Sequence, residues 1–421
     1  GAIFDDEWLP AGRTWQELMD EVLTKGLFVT AVGQDGAWLR FHRLFQEFLL
    51  YRLHTERPAE ETLILRRLAA LLQAERQWER AYHLYQRLQD DAAVVELVAA
   101  AGRMLVKAGR ARLVERWTAS LPAGALRQRP ELMTIRAAAI VTLGRVHEGL
   151  NLVNQAAEEL SAADDPWLAR TLVWRAVILR LLGDHEAAVE QSDAALHATR
   201  AAAGDERELT EISADCHKTL GICLFKQGRL QAASTALLEA QALYEIVGTE
   251  SEIAKVRLDL AMVQLAMGET GKALANLEFS AASWRRTGHV QHLSLVLNNL
   301  GLLYHTRGEL VRAVELFAEA LQGAERSAHR HTEALICAGL GDVLTDLAYY
   351  AAAEELYTRA AKIAAEISFP FMDLYAQLRR SWIASLDGEP ADAFYLLDRT
   401  SRHVVSERSP YDHCLYQLAV G

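Results

Sequence analysis

Residues 298–321 read NNLGLLYHTRGELVRAVELFAEAL, and this stretch decides the fold. Leu300, Gly301 and Tyr304 fall at helical spacing, then Arg307-Gly308-Glu309 interrupts the pattern, and Ala313, Phe317 and Ala320 resume it. A small residue lies seven positions before the turn glycine, and others lie five and twelve after it. Small side chains at those points let two antiparallel helices approach closely, while Leu300 and Phe317 fill the space between them. The stretch therefore predicts a helical hairpin.

The same hairpin recurs on both sides. Turn glycines stand at Gly144, Gly183, Gly228, Gly268, Gly308 and Gly388, and Ala348 takes the place midway between the last two. The position seven before the turn holds Ala137, Ala176, Gly221, Ala261, Gly301, Gly341 and Ser381; the position five after it holds Gly149, Ala188, Ala233, Ala273, Ala313, Ala353 and Ala393. Twelve after the turn stand Ala156, Ala195, Ala240, Ser280, Ala320, Ala360 and Thr400. From Gly228 onward the step is 40 residues, whereas the earlier turns near Arg76, Gly109 and Gly144 are 33 and 35 apart. A closed bundle has no reason to repeat its turn, so the period predicts hairpins that stack on their neighbours.

Composition agrees. Alanine, leucine, glutamate and arginine dominate the 421 residues, with only 8 prolines, and these are residues that lose little entropy in a helix. No window has the apolar length of about 20 residues that spans a bilayer, and GAIFDDEWLP carries no secretory leader. Membrane association is not expected. Cys216, Cys223, Cys337 and Cys414 form no CxxC pair, which fits a reducing, cytoplasmic setting; Cys216 and Cys223 read as two buried small side chains, not a bridge. The formal charge of −12 argues against direct nucleic-acid binding.

Residues 1–57 depart from the hairpin pattern. WQELMDEVLTKGL predicts a helix closing near Gly26, LFVTAVGQDGAWLRFH two short strands joined at Gln34-Asp35-Gly36, and RLFQEFLLYRLHTERP a second helix ending near Pro58. That is the element order of a winged-helix tail.

The hairpin order Leu300, Gly301, Tyr304, Ala313, Phe317, Ala320 resembles the tetratricopeptide repeat (TPR). LTKGLFV at 23–29, Trp38 and RFHRLFQEFLLYRL at 40–53 resemble the end of the nucleotide-binding region in MalT-type regulators, large LuxR-family members of the STAND class of signal-transducing ATPases. Phe41, His42, Leu44, Phe45, Phe48 and Leu49 match that family's aromatic-histidine-leucine-phenylalanine run. WERAYHLYQRL and RPELMTIRAAAIVTLGR resemble its arm and first sensor repeats. The resemblance implies an all-α, right-handed TPR-like superhelix, an alpha-alpha solenoid, with a small N-terminal winged-helix-like α/β segment. Its parts would be a winged-helix-like segment at 1–57, a helical arm at 58–128 and a sensor of roughly 40-residue repeats at 129–421. It also implies ATP as a cofactor of a longer parent, not of this chain, which has no GxxxxGK[ST] phosphate loop and no recognisable C-terminal helix-turn-helix. Without the parent's nucleotide-driven assembly surfaces, this piece is expected to be a monomer.

No catalytic cluster emerges, because the histidines join neither carboxylates nor cysteines in a metal pattern. His42 is expected to pack inside the winged helix. In the repeats, residues offset from the small position of each first helix point to the inner face. Those are Arg170, Arg180, Asp215, Lys218, Phe225, Lys255, Met262, Asn298, Leu302, His305, Thr306, Asp342, Asp346, Tyr375 and Trp382. Their mix of charge, amide and aromatic surface suits a peptide, a polar small inducer or a protein partner. The two functional expectations are the sensor of an ATP-dependent regulator and a freestanding TPR scaffold.

Overall fold

Hairpin stacking needs each helix to end where its neighbour turns back, and the computed structural model places those ends at the expected residues. It describes residues 9, 12–26, 29–32, 38–160, 165–389 and 391–398. Two compact units result, Gly1–Gly183 and Asp184–Gly421, each taken by itself here.

The first unit opens with α1 (Trp15–Thr24), strands β1 (Val29–Val32) and β2 (Trp38–Phe41), and α2 (Arg43–Glu56). Thr14 and Glu17 form a reciprocal capping box that starts α1. The strands pair antiparallel with Val29 opposite Phe41 and Val32 opposite Trp38. The Gln34-Asp35-Gly36 turn lies outside the described residues. Then follow α3 (Pro58–Ala74), α4 (Trp78–Arg87), α5 (Asp91–Lys107), α6 (Ala111–Ala119), α7 (Ala123–Gln128), α8 (Pro130–Thr142), α9 (Val146–Glu159) and α10 (Pro166–Leu181). Turns fall at Arg76, Gly109 and Gly144, all with positive φ. The fully buried Trp117 stacks on Tyr82 at 4.8 Å between ring centroids and anchors the core of α3 to α8. The short α7 was not foreseen from the repeat pattern.

The second unit runs on through α11 (His185–Ala201), α12 (Glu206–Lys226), α13 (Leu230–Val247), α14 (Glu250–Ala266), α15 (Thr270–Thr287), α16 (Val290–Thr306), α17 (Leu310–Arg326), α18 (Arg330–Asp346), α19 (Tyr350–Glu366) and α20 (Pro370–Leu386), with 391–398 also helical. The longer 45-residue step before Gly228 is taken up by the 21-residue α12. Leu297, Leu300, Tyr304, Ala313, Phe317 and Ala320 are buried in one cluster shared by α14 to α18. Cys216, Cys223 and Cys337 are buried and unbridged. The fold is thus almost entirely helical, a TPR-like α-solenoid with a small N-terminal α/β segment.

First helices of neighbouring hairpins touch one another, as in α12 with α14, α16 with α18 and α18 with α20. The second helices of neighbouring hairpins meet through long side chains instead, Arg285 of α15 on Glu319 of α17 and Arg359 of α19 on Glu325 of α17. The first helices thus bring the hairpin backbones of this unit closest, which makes their shared face the candidate strip.

Two glycine positions carry the geometry. A Cβ on Gly301 would sit 2.9 Å from the Phe317 ring, so the two helices of that hairpin meet only because the side chain is missing. Gly308 closes the turn at φ 76°, a left-handed conformation that costs an L side chain roughly 1–2 kcal/mol. Ala348 holds the equivalent place at φ 62° and bears that strain. Ala348→Gly is expected to stabilise the second unit by about 0.5–1 kcal/mol, the relief exceeding the added chain entropy. Urea midpoints of the two proteins check this, and an unchanged or lower midpoint contradicts it.

Candidate ligand strip on the first helices

Side chains at the inner register positions of the second unit fall into small groups. On α12, Lys218 Nζ lies 3.9 Å from Asp215 Oδ1 and 5.7 Å from the Tyr244 ring, and the Tyr244 hydroxyl donates to Asp215. Burial first, then the Asp215 charge, pushes the Tyr244 phenol far above its ordinary range. Phe225 packs against the core of α12 to α14 with Lys226 Nζ 6.0 Å from its ring.

Between α14 and α16 an amide meets a thioether beside their shared apolar core. Asn299 Nδ2 reaches Met262 Sδ at 3.4 Å, and Asn298 Nδ2 reaches Asn299 Oδ1 at 3.4 Å. Asn298 is only 5% exposed, and its Oδ1 has no hydrogen-bond partner among the described residues. Next along α16, Leu302 is 40% exposed, and the exposed Thr306 hydroxyl returns to Leu303 O at 2.8 Å. His305 Nε2 lies 2.7 Å from Asp346 Oδ2, joining α16 to α18.

At α18 to α20 the polar groups converge. Asp342 accepts the Tyr357 hydroxyl at 2.6 Å and the Tyr375 hydroxyl at 2.7 Å, and pairs with Arg379 Nε at 2.9 Å. Arg379 Nε also donates to the Tyr357 oxygen at 3.1 Å. Burial, then the Asp342 carboxylate, raises both phenols. Trp382, one turn further on α20, is 47% exposed.

The expected set is therefore brought together only in part. Asp215 with Lys218, His305 with Asp346, and Asp342 with Tyr375 are true neighbours. Lys255 is half-buried on α14 and acts on His292. Asn298 is not the open surface residue its register suggested, because α16 turns it into the helix contact. Arg170 departs in the same way: it is 6% exposed, with its guanidinium 6.0 Å from the Trp167 ring. Arg180 is half-buried, with Nε unpartnered among the described residues. Both belong to the first unit. Asn299, Tyr357 and Arg379 were missed; each adjoins or packs against a chosen position, and helical register alone does not reveal which side chains reach across.

In the N-terminal segment Phe41, Phe45 and Phe48 form a ladder at 6.0 and 6.4 Å. Leu44 is 70% and Phe48 51% exposed, and Leu49 is also exposed. His42 is exposed at the N-cap of α2, where its side chain makes no cap bond, so the expected packed histidine is corrected. The strand leading into α2 ends at Phe41 and the chain changes direction at His42, which turns the ring outward.

Comparison with known proteins fits this arrangement. Residues 9–61 match the family model described as the MalT winged helix domain, and residues 252–326 the one described as tetratricopeptide repeat. An HTH-type transcriptional regulator MalT from Vibrio parahaemolyticus is 28% identical over 142 residues, 34% of this chain and 16% of that protein. A STAND protein with a tetratricopeptide repeat sensor from Pyrococcus horikoshii superposes with a TM-score of 0.70 at 14% identity, over 97% of this chain and 60% of that one. The chain resembles a STAND-type repeat sensor with a MalT-type winged helix. A Rap protein solved in complex with Competence and Sporulation Factor gives a TM-score of 0.52 at 14% identity, over 79% of this chain and all 100% of that one. The chain thus spans a small part of its MalT relative and three-fifths of the STAND structure. Among the described residues no group of three or more His, Cys, Asp or Glu is placed to hold a metal ion, and no helix is long and apolar enough to cross a membrane.

One titrating group stands beside the strip. His292 lies against Trp284 at 5.1 Å and His289 at 6.1 Å. Burial, then Lys255, His289 and His329, lowers it from 6.5 to about 4. It is neutral in both folded and unfolded chains above its unfolded value. As the pH falls from 6.5 toward 4 the unfolded chain takes the proton and the folded one does not, so stability drops. His292→Gln is expected to flatten this loss. Urea midpoints of both proteins at pH 7.5 and 5 test it, and equal slopes would refute the assignment.

Proposed function

We propose that this chain is the ligand-sensing and protein-interaction region of an ATP-dependent signal-transducing transcriptional regulator, and that its ligand binds along the first helices of the second unit. The observation that carries the reading is the MalT-type winged-helix match at 9–61 lying in the same chain as a TPR array. In that arrangement the ATP-binding body belongs to the longer parent, and the repeats supply the recognition surface. The exposed Leu302 and Trp382 and the polar groups between them give that surface both apolar seats and directional contacts. Three unbridged cysteines accord with a cytoplasmic setting.

A freestanding peptide-binding scaffold is the second reading. It is favoured by the Rap likeness, which spans the whole of a protein solved with Competence and Sporulation Factor.

The two readings part on the gene. The reading frame preceding Gly1 is expected to encode a GxxxxGK[ST] loop, and the protein so extended is expected to bind ATP with an affinity that changes when a strip ligand is present. Leu302→Glu, which puts a charge in the apolar part of the strip, is expected to abolish that change while leaving ATP binding itself intact. A frame that starts at Gly1 would overturn the regulator reading and leave the scaffold.

A further inference from the structure

The N-terminal segment meets the helices that follow it at a joint with little apolar packing. Among the described residues none of α2 is buried, whereas α3 and α4 place Ala69, Leu72, Ala81, Tyr82 and Tyr85 in the core of the first unit. Arg57 alone separates α2 from α3, and Pro58, which donates no N–H, breaks the hydrogen-bond ladder there. One carboxylate bridges the break. Glu61, buried on α3, lies with Oε2 2.8 Å from Nδ1 of His54 on α2, and its Oε1 accepts Arg87 Nη2 of α4 at 2.5 Å. We propose that Glu61 is a releasable latch: with both partners in place it docks α2 on α3 and α4, and without them α2 swings away about Arg57 while α3 and α4 stay packed.

The side that moves is set by what anchors each helix. On α4, the Tyr82 ring stacks on the fully buried Trp117 at 4.8 Å, and its hydroxyl meets Ser120 Oγ at 3.0 Å. On α2, only Phe45 and Leu53 are half-buried, and the rest of the helix is exposed. A helix of 14 residues is marginal in water without a packed face, so a detached α2 also unwinds. The latch is accessible from outside, because the His54 and Arg87 side chains are exposed and a competing anion can reach them. Glu61 is not a surface partner of the kind that contributes little. Losing its donors leaves a shielded carboxylate unpaired, which favours the closed joint while both are present.

The test uses the whole 421-residue protein and amide hydrogen exchange, read by mass spectrometry over residues 43–56. Glu61→Gln keeps the side-chain volume and removes the charge. It is expected to speed exchange in that segment roughly tenfold or more, while α5, α8 and α10 keep their rates. Arg87→Met is expected to do the same, and Arg87→Lys, which restores the charge, to change the rate less than about threefold. His54→Ala is expected to speed exchange in the wild-type background and to add little to Glu61→Gln, since both remove one contact. Unchanged exchange over 43–56 in a folded Glu61→Gln protein overturns the latch. A rise shared evenly by α3 to α10 overturns it too, because Glu61 then supports the core and not the joint. If Glu61→Gln fails to fold, the two Arg87 variants give the same readings: a rise confined to 43–56 in Arg87→Met supports the latch, and no rise or an even one sinks it.

Discussion

The structure rests on the close approach of the two helices inside each hairpin. At Gly301 the Phe317 ring, at Gly341 the Tyr357 ring and at Gly221 the Leu237 side chain occupy the space a Cβ would need, 2.9, 2.8 and 2.6 Å away respectively. One large residue on the second helix is thus keyed to one missing side chain on the first. The key sets the rotation of the first helix about its own axis, and that rotation decides which residues remain for the inner strip. Phe317 also lies within 2.8 Å of where a Gly339 Cβ would stand, so the same ring gauges the distance to the next hairpin. Packing inside a hairpin and stacking between hairpins are therefore one constraint.

That coupling explains what could be read from the residues alone. Backbone-level features write themselves into the sequence: a turn that needs positive φ selects glycine at Gly268, Gly308 and Gly388, and a close contact selects Gly301 and Gly341. Their spacing was enough for the helix boundaries of the second unit. The candidate strip was half legible. Register placed His305, Asp346, Asp342 and Tyr375 on one face without pairing them; the structure brings His305 to Asp346 and Asp342 to Tyr375, residues 41 and 33 apart. Register misjudges Asn298 and Arg170, whose burial depends on how far a neighbouring helix overlaps the face. It also misses Arg379, because a long side chain reaches a partner that its own register position does not indicate. Likewise α7 and the outward His42 arise from local chain direction, which carries no period.

Charge follows the same geometry. Arg285 pairs with Glu319, Arg330 with Glu366 and Arg359 with Glu325, at separations of 34, 36 and 34 residues, close to one repeat. Exposed pairs of this kind contribute about 0–1 kcal/mol each, so they tune the junctions without holding them. Asp342 is different. It gathers a hydroxyl from α19, another from α20 and a guanidinium from α20, and is itself largely shielded. Removing one donor there leaves a buried carboxylate short of partners, which costs more than any surface pair returns. The polar contacts from α18 to α20 are thus richer than those from α14 to α16, where the Asn299 amide reaches the Met262 thioether beside a shared apolar core.

This contrast gives the strip a mechanical sense. In a stack where each hairpin meets only its neighbours, a bound molecule acts on the junctions it spans. On the proposed reading, a ligand along the first helices would favour one spacing of the hairpins over others. The free energy available for that choice is the difference in ligand affinity between the two spacings. The junction where Asp342 holds two hydroxyls and a guanidinium from α19 and α20 would resist such a choice, because a change of spacing there takes partners from a shielded carboxylate.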